Sequence, residues 1–583
     1  MTKLLKYFKP YIWPLIFLTI LTFGQTMANL ALPDYMANIV NQGIVGGNSG
    51  AIYHFGLIML LVTLAGGLAT IGVGYFASKI GTGFARNIRD AVFTKIESFS
   101  LVEFNKFSTA SLITRSTNDI QQIQMVLIIL FRLALMAPFM GVIAIVKAYG
   151  LAPSMTWIMA VPIVTLIAII AVIFKIAMPK FTKLQKLVDR LNLVTREMLT
   201  GLRVIRSFGK EKYEENKFKQ ANRELMDVNL FVNRLMVILQ PAMMLILNIT
   251  VIAIVWLGAG QIDAGTLQIG NMLAFMQYAM QAIFAFLMIS IIFIMVPRAS
   301  VSAARIAEVL ESEATIKDPK HPIKPQKLGG RVEFKDVTFS YAGSEEPVLQ
   351  HLSFVAVPGQ TTAIVGSTGS GKSTVVNLIP RFYDVTEGQV LVDGVDVREM
   401  SQEELRSRIG YISQKAILFS GTIRENIKYG MPDADDQDVM QAAEIAQASE
   451  FIEELEEKFE SHIAQAGANV SGGQKQRLAI ARALAKNPEI FIFDDSFSAL
   501  DFKTDAALRK ALQTQTKGKT VLIVAQRIST IMHADKIVVL DTGKIVGEGT
   551  HSELLRDSIV YREIASSQLS ERELADATAQ LTQ

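Results

Sequence analysis

The chain contains no cysteine, and charged residues make up only 19% of its 583 residues. The absence of cysteine excludes disulfides, thiolate metal sites and cysteine nucleophiles. The low share of charge, beside a hydrophobic share of 50%, is unusual for a soluble enzyme and indicates a membrane protein. A formal net charge of +3 is nearly neutral for this length and gives no support to nucleic-acid binding. The length itself predicts about two to four domains.

The strongest chemical signal is a glycine-rich run at residues 366–374, between an apolar stretch and a predicted helix. Glycines allow backbone conformations that turn successive N–H groups inward on an anion at a helix N-terminus. The GxxxxGKS spacing therefore predicts a phosphate-binding loop in which Lys372 reaches the β and γ phosphates and Ser373 ligates Mg²⁺. An ordinary glycine-rich turn is the alternative. The predicted nucleotide contacts are Gly366, Ser367, Thr368, Gly369, Ser370, Gly371, Lys372, Ser373 and Thr374.

Six long apolar stretches in the first half of the chain are each long enough to cross about 30 Å of hydrocarbon. A short basic segment, residues 1–9, precedes them and is typical of an amphipathic helix at a membrane surface. A signal peptide is the alternative, and it fails because no small-residue cleavage site ends the first apolar core. The first stretch runs to about residue 39, and the others cover residues 55–77, 126–145, 155–176, 235–257 and 269–296.

The loops between these stretches alternate in length and charge. Loops 41–53, 149–154 and 259–268 are short and contain no Lys or Arg. Loops 78–122 and 180–234 are long and rich in both. The positive-inside rule therefore places both termini and both long loops in the cytoplasm.

The two long loops have a helical composition, with few glycines and with apolar residues at helical spacing, as at Leu184, Leu187 and Leu191. Two helical arms of about 20 residues in each loop would project about 30 Å below the bilayer. Their turning points are predicted near residues 99–108 and 208–216. Such tips can dock on a cytoplasmic domain, and solvated hairpins are the alternative.

The composition changes after residue 310. Residues 311–330 are polar and contain three prolines, which predicts a linker. Strand and helix patterns then alternate around the phosphate loop. The predicted organisation is a membrane domain over residues 1–310, the linker 311–330, a nucleotide-binding domain over 331–565 and a polar tail, frayed or disordered, over 566–583. The fold class is an all-α membrane domain of six spans with long cytoplasmic helical extensions, fused to an α/β P-loop domain.

The stretch at residues 470–474 reads VSGGQ and resembles the LSGGQ signature of ATP-binding cassette transporters. Almost the whole chain resembles a half-transporter of the type IV exporter family, which includes multidrug exporters. In that family the signature caps the nucleotide held by the other cassette of a dimer. The resemblance thus implies ATP and Mg²⁺ as cofactors and a second half-transporter as a partner. The signature residues that it assigns to ATP are Ser471, Gly472, Gly473 and Gln474.

The resemblance assigns roles to four further residues. Tyr341 stacks on adenine, with an ordinary core tyrosine as the alternative. Gln414 matches the glutamine that senses Mg²⁺ and the γ-phosphate, and Asp494 matches the Walker B ligand to Mg²⁺. Asp501 lies in the loop through which the two sites of a dimer communicate.

Two positions depart from the pattern of active family members. Those members carry a glutamate after the Walker B aspartate and a switch histidine, where this chain has Asp495 and Gln526. An aspartate is one methylene shorter, so its carboxylate should lie about 1.5 Å short of the lytic water, and a displacement near 1 Å can cost on the order of 10²-fold. Glutamine can donate to the γ-phosphate but lacks the charge of an imidazolium. Together the changes predict a site that binds ATP and hydrolyses it poorly.

A heterodimer with a second, similar half-transporter explains this pattern with the fewest assumptions, because the intact signature is useful only opposite a competent site. The alternatives are a homodimer with weak ATPase activity, an exporter for a dedicated lipid or peptide, and a regulatory membrane subunit that transports nothing.

The predicted cargo is a small hydrophobic or amphipathic compound, a drug or a lipid, taken from the cytoplasm or the inner leaflet. Methionines are frequent in the last two spans and can line an adaptable cavity or pack helices together. Asn271, Gln277 and Gln281 recur at helical spacing and indicate a polar stripe or interhelical hydrogen bonds. Asp34 and Arg132 are ionisable groups in or near apolar stretches, where such groups usually face water or a partner. The fused arrangement, the absence of a targeting extension and the cysteine-free composition predict a bacterial plasma membrane, with membrane lipids as neighbours.

Overall fold

The structure, a computed structural model, describes residues 2–569, without the side chains of residues 2–3, 290–291, 293–294 and 298. The contacts of the chain divide it into two compact units. The first contains the chain up to Glu97 and the segment Thr109–Ser312, and the second contains Ser98–Ser108 and the chain from Glu313 onward. Most of the predicted polar tail, residues 570–583, lies outside the described residues, and the predicted domain limits stay predictions.

The first unit is built from helices, several of them longer than 40 residues because their apolar stretches continue into helical arms. A 3₁₀ segment (Thr2–Tyr11), a π-helical segment (Ile39–Val45) and a short 3₁₀ turn (Pro153–Met155) interrupt or extend them. The α-helices up to the end of this unit, including α3 of the second unit, are α1 (Ile12–Asn38), α2 (Ser49–Glu97), α3 (Leu101–Phe107), α4 (Thr109–Ser116), α5 (Asn118–Leu151), α6 (Trp157–Thr200), α7 (Leu202–Ser207), α8 (Glu211–Val237), α9 (Leu239–Asp263) and α10 (Ile269–Glu311).

Six helical segments among the described residues are long and apolar enough to cross a membrane. Each of the six predicted apolar stretches falls on one of these helical segments or on its continuation, so the predicted number of spans is confirmed. The segments are Leu4–Val45, Ser49–Glu97, Thr109–Leu151, Pro153–Thr200, Glu211–Asp263 and Ile269–Ile289.

Both predicted arm tips contain a turn of the chain. After α2 the chain turns at Ser100, which caps α3 with Glu103 in a reciprocal capping box, so the first turning point lies where it was predicted. The second turn begins earlier than predicted, because α6 already ends at Thr200, but residues 208–210, directly before α8 begins at Glu211, lie within the predicted range 208–216. Gly201 and Gly209, the latter at φ 59°, flank the short helix α7 and make the turn.

The first tip, Ser98–Ser108, belongs to the second unit. There the Glu103 carboxylate accepts a hydrogen bond from the Thr315 N–H (3.1 Å) and a second from the Thr315 hydroxyl. These bonds, with those from Ser100, lower the pKa of Glu103 against the opposing effect of its burial. The tip is therefore fixed within its unit by a buried carboxylate and is not a solvated hairpin.

Asp34 lies at the centre of a polar cluster that joins three membrane helices. Its carboxylate forms an ion pair with Lys147 of α5 (2.7 Å) and accepts a hydrogen bond from the Tyr278 hydroxyl of α10 (2.6 Å). Tyr278 is fully buried and also donates to the Leu30 carbonyl (2.8 Å). The expectation that Asp34 faces a partner is therefore confirmed. Arg132, by contrast, is exposed, and within residues 2–569 the structure records no ion pair for it.

Replacing Lys147 by alanine is expected to destabilise the protein by about 2 kcal/mol, because it removes the cation that pairs with the partly buried Asp34 carboxylate and leaves the Tyr278 hydrogen bond. This value is below that of a fully buried pair, since the two side chains keep 38% and 30% of their exposure. The measurement is the midpoint of thermal unfolding in lipid nanodiscs. The matched control is Lys219→Ala, whose ion pair with Glu215 is mostly exposed and should contribute less than about 0.5 kcal/mol. Equal shifts in the two variants would contradict the prediction.

Several of the polar and methionine side chains of the last spans pack helices together. Asn271 accepts a hydrogen bond from the Asn41 side-chain amide (3.1 Å), which supports the interhelical alternative for this residue. Met272 and Met276 pack against a buried cluster that includes Tyr278. Met244, in contrast, is 66% exposed. The methionines therefore divide between helix packing and an outward-facing surface.

The second unit is an α/β fold with two larger sheets and one small one. The six-stranded sheet has the order β12-β11-β3-β10-β9-β6, parallel except for β12, and the four-stranded antiparallel sheet has the order β2-β1-β4-β5. β7 pairs with β8. The strands are β1 (Val332–Phe339), β2 (Leu349–Ala356), β3 (Thr361–Gly366), β4 (Glu387–Val392), β5 (Val395–Asp396), β6 (Ile409–Ile412), β7 (Gly421–Thr422), β8 (His462–Ile463), β9 (Ile490–Asp494), β10 (Thr520–Val524), β11 (Lys536–Asp541) and β12 (Lys544–Gly549).

The helices of this unit follow the strands in chain order, with 3₁₀ turns at Lys458–Glu460 and Gln465–Gly467. They are α11 (Lys372–Leu378), α12 (Gln402–Ser407), α13 (Ile423–Lys428), α14 (Asp436–Ile445), α15 (Ser449–Glu453), α16 (Gly472–Ala485), α17 (Phe502–Gln515), α18 (Ile528–Ile531), α19 (His551–Asp557) and α20 (Ile559–Ser566).

The parallel sheet is buried on both faces, which explains its nearly continuous apolar strands. In β9, Phe491 and Phe493 enter one core cluster, and Ile490 and Ile492 enter the cluster on the opposite face. Because β3, β6, β9 and β10 are parallel, the loops that follow these four strands emerge at one edge of the sheet. In open α/β sheets this carboxyl edge is where ligands bind.

Candidate functional site

The phosphate loop connects β3 to α11 in the way that its sequence predicts. Gly371 takes a φ of 97° at the start of α11, a left-handed conformation that favours glycine. Gly366 has no positive φ, and its glycine is required for another reason, since a Cβ there would overlap the Leu540 carbonyl oxygen of β11. The buried Ser370 hydroxyl has no hydrogen-bond partner among the described residues. A buried orphan hydroxyl and a glycine-shaped loop fit the binding of phosphate oxygens.

Lys372 lies inside this loop with only 9% of its surface exposed. Its Nζ donates to the carbonyl oxygens of Gly366 (2.9 Å) and Ser367 (2.7 Å). Burial lowers the pKa of this lysine, and the carboxylates of Asp495 and Asp494 act in the opposite direction. The ammonium group is therefore held between backbone oxygens and carboxylates, at the position from which it can neutralise a bound phosphate.

Ser373 and Asp494, the two predicted Mg²⁺ ligands from different elements, are in direct contact. The Ser373 hydroxyl donates to Asp494 Oδ1 (2.9 Å), and the Tyr411 hydroxyl donates weakly to Oδ2 (3.4 Å). Burial raises the pKa of Asp494, because desolvation penalises the charged form. A hydroxyl and a carboxylate oxygen side by side suit the oxygen ligands that Mg²⁺ takes. The third predicted ligand, Gln414, instead contacts Asp495.

The two positions that depart from the family pattern contact each other. Asp495 Oδ2 accepts hydrogen bonds from the side-chain amides of Gln526 (2.9 Å) and Gln414 (3.1 Å). Asp495 is 8% exposed, and burial raises its pKa while the bond from Gln414 and the charge of Lys372 lower it. One oxygen of this carboxylate is thus committed to two amides. Sequence reasoning assigned these three residues separately and did not predict that they form one cluster.

Tyr341 lies beside the phosphate loop. Its hydroxyl is 3.0 Å from the Thr374 hydroxyl, and its ring packs edge-on against Phe339 and Tyr383. The residue keeps 36% of its exposure, so an ordinary buried core tyrosine does not describe it. A half-exposed aromatic ring, oriented by a bond to the loop, is able to stack on a planar base.

The signature residues lie at the N-terminus of α16. Ser471 and Gln474 form a reciprocal capping box, and within residues 2–569 the Ser471 side chain bonds only inside this turn. Asp501 caps α17 by accepting from the N–H (2.9 Å) and the hydroxyl (2.7 Å) of Thr504, and these bonds lower its pKa. The structure therefore brings Lys372, Ser373, Gln414, Asp494, Asp495 and Gln526 into one site, in which Ser373 bonds to Asp494, Gln414 and Gln526 bond to Asp495, and Lys372 interacts with both carboxylates through charge. Ser471 and Gly472 of the signature are exposed.

Sequence reasoning missed three residues around this site. The Tyr411 hydroxyl donates to Asn377 (2.9 Å) as well as facing Asp494, and burial raises its pKa. Tyr411 is the penultimate residue of β6, and that position near the carboxyl edge was an available signal. Gln568 contacts the chain around Gln526, and composition alone contained no signal for it.

Both the membrane-spanning part and the nucleotide-binding part of the chain match known protein families. Residues 15–286 match the family model of the ABC transporter transmembrane region, and residues 349–498 match that of the ABC transporter. An uncharacterized ABC transporter ATP-binding protein of Mycobacterium tuberculosis is 42% identical over 97% of each chain. The ATP-dependent lipid A-core flippase of Hahella chejuensis is 32% identical over 98% of this chain and 97% of its own.

A solved structure of a bacterial Atm1-family ABC exporter with ATP bound has the same fold. It matches with a TM-score of 0.80 and 26% identity, over 97% of this chain and 99% of its own. Six spans and bacterial relatives place the protein in a bacterial plasma membrane with its nucleotide-binding domain in the cytoplasm. The chain belongs to the ABC transporter family, as an exporter half-transporter that joins one membrane domain to one ATPase domain and couples ATP hydrolysis to transport.

Proposed function

We propose that this chain is the subunit of a heterodimeric exporter whose own site retains ATP and hydrolyses it slowly, while its signature completes the active site of the partner. One observation carries the proposal. Asp495, at the position of the catalytic base, offers a short carboxylate of which one oxygen is held by the amides of Gln414 and Gln526. A base must contact the attacking water to polarise it, and this carboxylate is both short and engaged.

The binding functions of the site are, in contrast, complete. In this proposal Lys372 neutralises the β and γ phosphates, and the loop N–H groups and the Ser370 hydroxyl contact phosphate oxygens. Ser373, Asp494 and, when the site closes, Gln414 hold Mg²⁺, which supplies charge neutralisation to the phosphates. Gln526 contributes an amide and no positive charge. The site thus has the residues that bind ATP and Mg²⁺, but Asp495 and Gln526 are poorly suited to activate water. This combination supports retention of ATP with slow turnover.

The partner is a second half-transporter that contributes the glutamate and histidine which this chain lacks. Ser471, Gly472, Gly473 and Gln474 stand at the start of a 14-residue helix, where N–H groups attract phosphate charge, and in this proposal they face the nucleotide of the partner. The second arm tip supports a second chain as well, because Val204 and Phe208 are 61% and 73% exposed. Large apolar side chains at a cytoplasmic tip favour docking on another protein surface.

The cargo is a hydrophobic or amphipathic compound, a drug or a lipid. The resemblance to a lipid A-core flippase and the exposed methionine at 244 support this class. The test is the ATPase activity of the complex, recovered from native membranes by a tag on this chain, with added lipids and amphipathic drugs. Stimulation by many compounds supports broad export, stimulation by one class indicates a dedicated cargo, and vesicles that move nothing during hydrolysis indicate a regulatory subunit.

Replacing Tyr341 by alanine is expected to raise the Kd for ATP at this chain's own site about tenfold or more, because base–aromatic stacking contributes about 1–3 kcal/mol. The control is Tyr341→Phe, which keeps the ring and removes only the bond to Thr374, and which should change the Kd by less than about threefold. Equilibrium binding of a fluorescent ATP analogue measures both. If phenylalanine weakens binding as strongly as alanine does, the ring does not stack on the base.

A further inference from the structure

The start of the predicted tail contacts the loop that contains Gln526. The Gln568 side chain accepts a hydrogen bond from the Ile528 N–H (2.8 Å) and donates one to the Gln526 carbonyl oxygen (2.9 Å). The side-chain amide of Gln568 thus bonds to the backbone of the residues before and after Arg527, in the loop between β10 and α18. We propose that Gln568 is a positioning residue for this loop, and that through it the C-terminal segment, defined as α20 with residues 567–569, controls how tightly the chain's own site retains nucleotide.

Each of these two hydrogen bonds satisfies a backbone group of the loop or of α18. α18 is a four-residue helix whose N-cap residue, Arg527, makes no side-chain capping bond, so the Ile528 N–H needs an acceptor from elsewhere. Gln568 supplies that acceptor and at the same time satisfies the preceding carbonyl group. Because both bonds are to backbone atoms, they fix the path of the loop, and the Gln526 side chain is directed at Asp495 by that path.

The segment that carries Gln568 is itself firmly anchored. Tyr561 and Ala565 of α20 are fully buried in the main core cluster, and Leu569 packs against the same cluster. The Gln568 N–H donates to the Ala565 carbonyl oxygen (3.0 Å). The amide of Gln568 is therefore presented from a rigid base, and a displacement of this segment would be transmitted to Gln526 and to Asp495.

Two hydrogen bonds and one electrostatic interaction connect the C-terminal segment to the phosphate loop. It runs from Gln568 to the Gln526 backbone, from the Gln526 amide to Asp495 Oδ2, and from Asp495 by charge to Lys372. The inference rests on the proposed function of this site as one that retains ATP. It adds that Gln568, which follows α20, sets the lifetime of the bound nucleotide.

The test is the rate at which a fluorescent ATP analogue leaves the full-length protein in nanodiscs with Mg²⁺. Gln568→Ala removes both bonds and is expected to speed release roughly fivefold to tenfold, the effect of losing one or two hydrogen bonds. The matched control is the neighbouring Ser567→Ala, since among residues 2–569 that hydroxyl bonds only to Ile564 of its own segment, and this change should leave release unaltered. Gln568→Glu keeps the acceptor for Ile528 and should give an intermediate rate.

A double variant separates positioning from a general loss of structure. Gln526→Ala alone should also speed release, and adding Gln568→Ala to it should change the rate by less than about twofold, because the two residues act through one contact. If the two effects multiply, or if Gln568→Ala releases nucleotide as slowly as the unaltered chain, the inference is wrong. If the unaltered chain itself retains no nucleotide while its partner hydrolyses ATP, the proposed function fails and the inference falls with it.

Discussion

Replacing Asp495 by glutamate and Gln526 by histidine in the same chain is expected to raise ATP hydrolysis by the purified chain on the order of 10²-fold. The added methylene moves the carboxylate outward by about 1.5 Å, to where it can polarise the attacking water. The imidazole replaces one of the two amides that hold Asp495 Oδ2 and can carry positive charge to the γ-phosphate. Both changes are needed, because a lengthened carboxylate that stays bonded to Gln526 is still drawn away from the water.

Each single change should therefore recover less than a tenth of the effect of the double change, and the measurement is phosphate release at saturating ATP by the chain alone. A matched control makes the same exchanges at exposed positions, Asp433→Glu and Gln441→His, and should leave hydrolysis unaltered. The unaltered chain serves as the decisive reference. If it hydrolyses ATP as rapidly as its double variant, Asp495 and Gln526 are competent and the protein is a symmetric exporter.

The fold could be predicted from sequence wherever one physical signal dominated. Apolar length alone determined the six spans, and the carboxyl edge of the sheet follows from strands that are buried on both faces. The early start of the second arm tip was missed because helical composition continues past residue 200, and Gly201 alone marks the end of α6 there. Such local breaks are weak signals inside a long polar helix, where tertiary packing decides the end.

The sequence predicted which residues form the site, but it did not predict the hydrogen bonds between them. Motif spacing indicated Lys372, Asp494 and Asp495, since Asp494 ends β9, Asp495 follows it, and Lys372 lies at a fixed distance after β3. That Gln414 and Gln526 donate to the same oxygen of Asp495 depends on side-chain geometry from three loops. Gln568 lies in a segment whose polar composition predicted disorder and no role. A polar side chain that bonds to backbone atoms leaves no periodic pattern in a sequence, so only the structure can identify it.

Replacing Gly472 by aspartate is expected to reduce ATP hydrolysis by the heterodimer on the order of 10²-fold or more, while the chain's own site still binds ATP. The structure shows why this position isolates the signature. A Cβ at Gly472 meets nothing within 4 Å, whereas one at Gly473 would lie 3.3 Å from the Ala499 carbonyl oxygen. A carboxylate at a helix N-terminus also stabilises that helix. The variant should therefore fold normally and place a negative charge opposite the phosphates of the partner's nucleotide.

The size of the effect follows from electrostatics, since two like charges about 4 Å apart repel by about 4 kcal/mol at the effective dielectric constant of a protein surface. Gly472→Asn is the matched control, because it has the same shape without the charge and should lose much less activity.

The reciprocal variant is Lys372→Ala, which should weaken ATP binding at this chain's own site by about 10- to 100-fold but reduce hydrolysis by the complex less than tenfold.

The two variants together decide between the asymmetric and the symmetric assembly. In a heterodimer, turnover occurs at the site that Gly472 faces, so the loss from Gly472→Asp must exceed the loss from Lys372→Ala by a wide margin. In a symmetric dimer each active site needs Lys372 from one chain and the signature from the other, so both changes must abolish hydrolysis equally. Equal losses would therefore overturn the proposal that Asp495 marks a slow site, whatever the absolute rates, because the comparison is made within one complex.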